Sequence, residues 1–350
     1  MVEFLLEYGL FLAKAITIVV AILLIISAIA ATAQSRTHHG HKGEIRVTPL
    51  NDFFEDLKAA LQHTILTKDE LKAEEKRLKK EDKEKAKERK KNPEQADRKR
   101  VFVLDFDGDT AASGVENLAN EITAVLTMAR KEDEVVLRLE SPGGQVHAYG
   151  LASSQLERIR QREIPLTVCV DKVAASGGYM MACVANRILA APFAVLGSIG
   201  VVAELPNFNR ILKKHDVDYD VYTAGQYKRT VTVLGENTPE GKKKFIEEIE
   251  DTHQLFKSMV NRNRPQLDIE KIATGEHWYG SQCVDLKLVD ALQTSDDYLY
   301  EASQNADVFE VAYEVKKTMA DRLGLAAEGV VSRSLLRLYE KVSGRGKQLI

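Results

Sequence analysis

From residue 101 onward the chain alternates short apolar runs with amphipathic ones. The runs at 101–106, 134–139 and 164–170 are apolar and rich in β-branched side chains, which is typical of buried strands. Residues 115–130 place apolar side chains three and four positions apart and predict a helix, and residues 145–162 predict a second one. Strands that alternate with helices predict an α/β fold around a largely parallel sheet.

After residue 185 the apolar pattern becomes irregular. Residues 187–205 are long enough for a membrane span, but Pro192 and Gly197 interrupt them, which favours short buried strands joined by turns. Residues 238–262 predict a long amphipathic helix that is capped by Thr238 and has proline at its first position.

The last part of the chain predicts smaller elements. A short helix is expected at 269–273 and a strand at 308–315. Residues 330–343 form an amphipathic basic tail, which the sequence assigns neither to a neighbouring chain nor to a membrane surface.

A run without any charge, residues 15–35, dominates the start of the chain. It is long enough to cross the hydrocarbon core of a bilayer as a helix. The alternative is a cleaved signal peptide, with small residues at 28–34 as the cleavage region. A retained anchor is favoured because the run is long and because Glu3 and Glu7 stand where a signal peptide carries basic residues. We therefore expect contact with membrane lipid through residues 15–35.

The flanking charges bear on orientation. Arg36, Lys42 and Arg46 follow the run, whereas the preceding flank carries acids and only Lys14. The positive-inside rule applied to these residues puts the body of the protein in the cytoplasm.

Charge separates the anchor from the folded body. Residues 68–100 contain 15 basic and 10 acidic side chains, and too few of the remaining residues are apolar to form a core. This composition predicts an exposed helix or a flexible tether. The predicted organisation is an anchor at 1–36, a charged helical or flexible spacer at 37–100, a catalytic domain at 101–305, and a strand with an amphipathic tail at 306–350.

Composition excludes several classes of function. A formal net charge of −3 argues against a dedicated nucleic-acid binder. Three cysteines are too few for a disulfide framework, and Cys169 and Cys183 lie in apolar runs typical of buried thiols. No Cys/His cluster has metal-ligand spacing, so neither a metal nor a cofactor is expected.

Ser176 stands at the junction between the strand at 164–170 and an apolar, helix-compatible run at 179–185. Two glycines follow it and leave its surroundings open. Amides at a helix start are unpaired and partly positive, so an anion that forms beside Ser176 would be stabilised. The alternative is that Ser176 is only a helix cap.

A second glycine-rich turn, SPGG at 141–144, follows the strand at 134–139. In an open α/β sheet, ligands gather outside the carboxyl ends of the strands, so this turn and the one at Ser176 are expected to reach the same crevice. A Pro-Gly-Gly turn lets backbone approach a substrate and can supply N–H donors.

A serine nucleophile needs a base, and the residues alone leave its identity open. A lysine acts as a base only when it is neutral, which demands burial. The candidates are four histidines and one lysine in a polar loop: His147, His215, His253, His277 and Lys228.

Four motifs in order, SPGG (141–144), AASGGY (174–179), GSIGV (197–201) and GQYK (225–228), strongly resemble the signal peptide peptidase A family of serine proteases. WYGSQ (278–282) and LVD (288–290) resemble it too, so the likeness covers about residues 100–300. The anchor and charged spacer resemble its single-domain SohB branch.

The resemblance implies a ClpP/crotonase-like fold and a Ser–Lys dyad. Ser176 would be the nucleophile and Lys228 the general base, with Ser198 near the dyad and able to orient the lysine. Backbone amides of Gly177 and of Gly144 or its neighbour Gly143 would form the oxyanion hole.

The resemblance also implies peptide or protein substrates with small or apolar residues at the cut, such as signal-peptide remnants. It implies a homo-oligomer in the bacterial inner membrane with a periplasmic catalytic domain, against the charge bias noted above. One departure concerns packing: Lys287 stands where the family commonly has glycine before LVD.

Two rival functions stay open at this point. A crotonase-type acyl-CoA enzyme on the same fold would bind CoA and would not need Ser176. An inactive membrane scaffold would keep the dyad residues only as relics, although an intact serine, lysine and both glycine turns argue against it.

Overall fold

A computed structural model describes residues 43–91 and 98–315, together with six positions between residues 9 and 19. Most of the predicted anchor and all of the predicted tail at 330–343 lie outside the described residues. In the described part of the chain, no helix combines the length and apolar character needed to cross a bilayer. Residues 45–313 form one compact unit, which contains the candidate site.

The strands of the described residues fall into two sheets. They are β1 (Glu44–Pro49), β2 (Arg100–Asp107), β3 (Glu134–Glu140), β4 (Leu166–Val170), β5 (Val173–Ala175), β6 (Arg187–Ala190), β7 (Val195–Gly197), β8 (His277–Tyr279), β9 (Ala291–Leu292) and β10 (Asp307–Glu314). The larger sheet has the order β1-β10-β2-β3-β4-β6-β9, and the smaller has the order β5-β7-β8.

The helices of the described residues connect these strands. They are α1 (Leu50–Ile65), α2 (Lys68–Lys91), α3 (Val115–Leu126), α4 (Val146–Gln161), α5 (Gly177–Ala182), α6 (Asn209–Lys214), α7 (Pro239–Asn263), α8 (Ile269–Ile272), α9 (Gly280–Asp285) and α10 (Ser295–Asn305).

The larger sheet is parallel from β10 through β9, as the alternating pattern predicts. Strands β3 and β4 are buried on both faces, which explains their continuous apolar sequence. Leu104, Leu137 and Val168 pack with α3 and α4 on one face. Val103 and Val136, of opposite parity, pack with α1 and α10 on the other. The mixed α/β fold is therefore confirmed.

Several local predictions are also confirmed. Helices α3 and α4 occupy the two predicted helical stretches with trimmed ends. Residues 187–205 contain the short buried strands β6 and β7, each followed by a turn or loop. Thr238 caps α7, its side chain accepting a hydrogen bond from the Gly241 amide. Cys169 and Cys183 are buried free thiols, and burial raises the pKa of each to about 12.

The region between the predicted anchor and Val101 contributes to the compact unit. The Asn51 amide group at the start of α1 donates to the carbonyls of Ser303 and Ala306 and accepts from the Val308 amide. Phe54 packs against the same side of the sheet. The folded body therefore starts near residue 45, and the charged residues 68–91 form the helix α2.

The backbone at Lys287 explains why glycine is expected at this position. Lys287 has φ of +62° and follows α9 in a Schellman ending, in which the Leu288 amide donates to the Cys283 carbonyl and the Lys287 amide donates to the Val284 carbonyl. Glycine adopts this left-handed conformation without the steric cost that a side chain incurs.

We predict that Lys287→Gly stabilises the protein. Relief of the left-handed strain outweighs the extra flexibility of the unfolded chain, so the gain should be roughly 0.5–1 kcal/mol. Thermal and chemical unfolding of the full-length chain measure it. Lys287→Ala is the matched control, because alanine keeps the strain; an equal gain from both variants would contradict the explanation.

Candidate active site

Ser176 occupies a strained backbone position between β5 and α5. Its φ and ψ are +54° and −117°, values that cost a non-glycine residue about 1–3 kcal/mol. Its amide donates to the Gly197 carbonyl at 2.8 Å, and its carbonyl accepts from the Met180 amide at 2.9 Å. A serine held on a sharp strand-to-helix turn is the geometry of a nucleophile elbow.

The Ser176 hydroxyl is not used as a helix cap. Its side chain makes no capping hydrogen bond to α5, and no hydrogen bond of this hydroxyl occurs within the described residues. The side chain is half-buried. The interpretation of Ser176 as a cap alone is therefore wrong, and its oxygen is available for chemistry.

The Pro-Gly-Gly turn packs directly against this serine. Gly143 has φ of +91°, and a Cβ built on it would lie 2.7 Å from the Gly177 nitrogen and 2.8 Å from the Ser176 Cβ. Glycine is thus required both by conformation and by contact. The two glycine turns are therefore in direct contact, as expected if both reach one crevice.

Hydrogen bonding distinguishes the amides of this crevice. The Gly143 amide donates to the Ser141 Oγ at 3.0 Å. Within the described part of the chain, the amides of Gly144 and Gly177 make no hydrogen bond. A backbone donor without a partner beside a nucleophile can bind an anion that forms there.

Ser198 lies on the neighbouring strand end. Strand β7 pairs with β5 so that Gly197 is opposite Ala175, and the Gly197 carbonyl accepts the Ser176 amide. Ser198 itself is half-buried, has φ of +52°, and donates its amide to the Glu276 carbonyl at 2.6 Å. The smaller sheet thus brings Ser176 and Ser198 together.

Two functional candidates were not singled out by sequence reasoning. Ser141 and Tyr149 are completely buried beneath the Pro-Gly-Gly turn, with 2.5 Å between their hydroxyl oxygens. Burial raises the pKa of Tyr149, so its hydroxyl stays protonated. The available signal was that Tyr149 falls on the inner face of a helix that begins just after this turn.

Lys228 does not join this group in the single chain. It is exposed in the loop between α6 and α7, and its amide donates to the Gly225 carbonyl. Within the described residues, its side-chain nitrogen makes no hydrogen bond or ion pair, including none to the Ser176 hydroxyl. The contact of a Ser–Lys dyad is therefore not formed in this structure.

None of the four histidines bonds the Ser176 hydroxyl within the described part of the chain either. His147 is exposed at the start of α4, and His215 and His277 are exposed as well. The ring of His253 is 3.2 Å from the Ile199 carbonyl, which occupies one of its nitrogens.

Comparison with known proteins identifies the family. The family models "Peptidase family S49 N-terminal" and "Peptidase family S49" match residues 3–156 and 158–309. A relative from Haemophilus influenzae, described as the probable protease SohB, is 52% identical over 328 residues, which cover 92% of each chain. The chain belongs to peptidase family S49.

Other relatives agree with this assignment. A probable protease SohB from Buchnera aphidicola subsp. Schlechtendalia chinensis is 46% identical over 303 residues, covering 85% of this chain and 99% of that protein. A relative from Enterococcus faecium, named "Putative signal peptide peptidase SppA", is 28% identical over 218 residues, which cover 59% of this chain and 63% of that protein. The chain is thus a peptidase of the SohB branch of the S49 family.

The packing at Gly143 predicts a specific sensitivity to substitution. Gly143→Ala should destabilise the protein by about 2–4 kcal/mol, because at a positive φ the new methyl group meets the Ala175 carbonyl oxygen, the Gly177 nitrogen and the Ser176 Cβ. Chemical denaturation measures the change.

Gly150 is the matched control. It lies inside α4, and a Cβ there would have no heavy atom within 4 Å. Gly150→Ala should stabilise the protein by roughly 0.5–1 kcal/mol through helix propensity. Equal stability of the two variants would show that the turn does not press against Ser176.

Proposed function

We propose that this S49 peptidase is a membrane-anchored serine endopeptidase with a Ser–Lys dyad. Ser176 is the nucleophile and Lys228 the general base. The observation that carries the proposal is Ser176 itself, whose backbone is held at a positive φ while its hydroxyl is left unbonded beside a glycine turn.

The chemistry follows from these assignments. Neutral Lys228 takes the proton of the Ser176 hydroxyl while the serine oxygen attacks a peptide carbonyl. The C–N bond then breaks, the leaving amine receives the proton, and an acyl-enzyme ester remains on Ser176. Water, deprotonated by the same lysine, hydrolyses the ester and restores both residues.

The oxyanion of each tetrahedral intermediate needs backbone donors. Gly177 and Gly144 are the favoured pair, because the third candidate, Gly143, already donates to the Ser141 Oγ. Ser198, on the adjacent strand end, is proposed to orient the amino group of the lysine.

A base at Lys228 requires cover from water, which the single chain does not supply. We propose that a homo-oligomer supplies it. Supporting this, three large apolar side chains are almost fully solvent-exposed: Tyr222 (91%) in the same loop, and Phe193 (83%) and Val202 (82%) in the segments before and after β7. Light scattering of the solubilised chain should give a multiple of the monomer mass, and a monomer that is fully active would contradict the proposal.

The finer fold and substrate assignments also belong to the proposal. The parallel sheet joined to a small second sheet supports a ClpP/crotonase-like fold. The named activity of the Enterococcus faecium relative supports signal-peptide remnants and other small or apolar segments as substrates. Residues 15–35 would anchor the chain in the bacterial inner membrane, with the catalytic body in the periplasm.

The dyad predicts a pattern of covalent labelling. A fluorophosphonate probe should label the full-length chain at Ser176, with a rate that rises with pH, because only a neutral base can take the serine proton. Ser176→Ala and Lys228→Ala should abolish labelling. Gel fluorescence and intact mass measure the adduct.

Lys214→Ala is the matched control, since Lys214 is an exposed lysine at the end of α6, in the stretch that leads to Lys228. It should label like the parent. Normal labelling of Lys228→Ala would exclude that lysine as the base and make His147 the next candidate. An unlabelled parent in its assembled state would favour a scaffold role.

The same adduct reports membrane association and orientation. Alkaline extraction should leave the labelled chain in the membrane pellet, and a membrane-impermeant probe should label it once the outer membrane is permeabilised. Labelling only after cell lysis would indicate a cytoplasmic body instead.

A further inference from the structure

A buried chain of hydrogen bonds runs from the Pro-Gly-Gly turn into the protein. The Gly143 amide donates to the Ser141 Oγ at 3.0 Å, and the Ser141 and Tyr149 hydroxyl oxygens are 2.5 Å apart. The Tyr149 hydroxyl donates to the Asp109 carbonyl at 2.7 Å. Because a tyrosine has one hydroxyl hydrogen, the Ser141 hydroxyl must donate to Tyr149.

The surrounding residues leave this chain of hydrogen bonds little room to rearrange. A Cβ on Gly108 would lie 2.6 Å from both the Ser141 Oγ and the Tyr149 hydroxyl oxygen. Ser141 and Tyr149 are both fully buried. Because both side chains are fully buried, a broken hydrogen bond would leave a polar group without a partner, at considerable cost.

The same tyrosine also contacts the residue after the nucleophile. A Cβ on Gly177 would lie 2.4 Å from the Tyr149 ring carbon Cγ, so the ring closes the space beneath that glycine. Tyr149 therefore touches Gly177 through its ring and reaches Gly143 through Ser141. Its position links both sides of the crevice.

We propose that Tyr149 and Ser141 are positioning residues for the oxyanion hole. By engaging the Gly143 amide, they fix the peptide planes of the turn and leave the next amide, that of Gly144, as the donor. The inference rests on the proposed function, because it assigns the support of the donors named there. Neither residue touches the reacting atoms.

Loss of either hydroxyl has a defined consequence. Without the Ser141 Oγ, the Gly143 amide has no internal acceptor, and the turn gains alternative conformations in which the donors are misplaced. The transition state loses stabilisation while ground-state binding is unaffected, so the limiting rate falls and the half-saturating concentration does not change.

The test uses fluorophosphonate labelling of the full-length, detergent-solubilised chain over a range of probe concentrations. Tyr149→Phe and Ser141→Ala should each lower the limiting labelling rate roughly 10- to 100-fold. This loss is no larger than the loss expected from deleting one oxyanion donor. The half-saturating probe concentration and the pH midpoint should stay unchanged, since neither the binding surface nor the base is altered.

The chain offers close controls for both substitutions. Tyr179 is fully buried in α5 and donates its hydroxyl to the Leu288 carbonyl, away from the turn. Ser153 is fully buried in α4 and donates to the Tyr149 carbonyl. Tyr179→Phe and Ser153→Ala should keep limiting labelling rates within about threefold of the parent, although their melting temperatures should be comparable to those of the two test variants.

The outcomes separate the two levels of the proposal. An unlabelled parent would overturn the proposed function and this inference with it. A labelled parent with unchanged rates in both test variants would overturn the inference alone, as would equal losses in the two controls. If Tyr149→Phe fails to fold, Ser141→Ala decides, because it leaves every ring in place.

Hydrogen exchange supplies a measurement that needs no variant. The Gly143 amide should exchange slowly in the parent chain, and the Gly144 amide should exchange rapidly. Rapid exchange at Gly143 would contradict the hydrogen-bond chain on which the inference depends.

Discussion

The backbone bridge between Ser141 and β5 joins the two sheets, and the candidate site depends on it. The Ser141 amide donates to the Val173 carbonyl, and the Ala175 amide donates to the Ser141 carbonyl. The Pro-Gly-Gly turn starts immediately after Ser141, and the nucleophile candidate follows immediately after Ala175. Two hydrogen bonds therefore set the distance between them, with glycine at the points of closest contact.

The positive φ of Ser176 is tolerated because its neighbours over-determine it. Its amide is bound to β7, its carbonyl to α5, and the strands and helix on either side are buried in the main core. Strain of about 1–3 kcal/mol is small beside the free energy from a core of this extent. The uncapped hydroxyl is thus a consequence of global packing, which local helix-capping preferences would have opposed.

The site combines a buried half and an exposed half. Ser176, Gly177 and the turn at Gly143 are fixed by core contacts, whereas Lys228 lies in an exposed loop between α6 and α7. A segment with little burial has low local stability, so its position responds to whatever covers it. This division is the physical reason for the proposal that an assembled state positions Lys228.

Sequence by itself determined the elements whose cause is local. Apolar runs predicted β2, β3 and β4, apolar spacing predicted α3, and Thr238 predicted the start of α7. The motifs located Ser176 and the two glycine turns on strand ends. Only tertiary structure decided that Gly143 donates to Ser141, that Tyr149 contacts both turns, and that Asn51 ties α1 to the start of β10. These contacts join atoms brought together by packing, which periodicity along the chain does not encode. The same holds for Lys287, whose left-handed backbone is set by the helix ending around it.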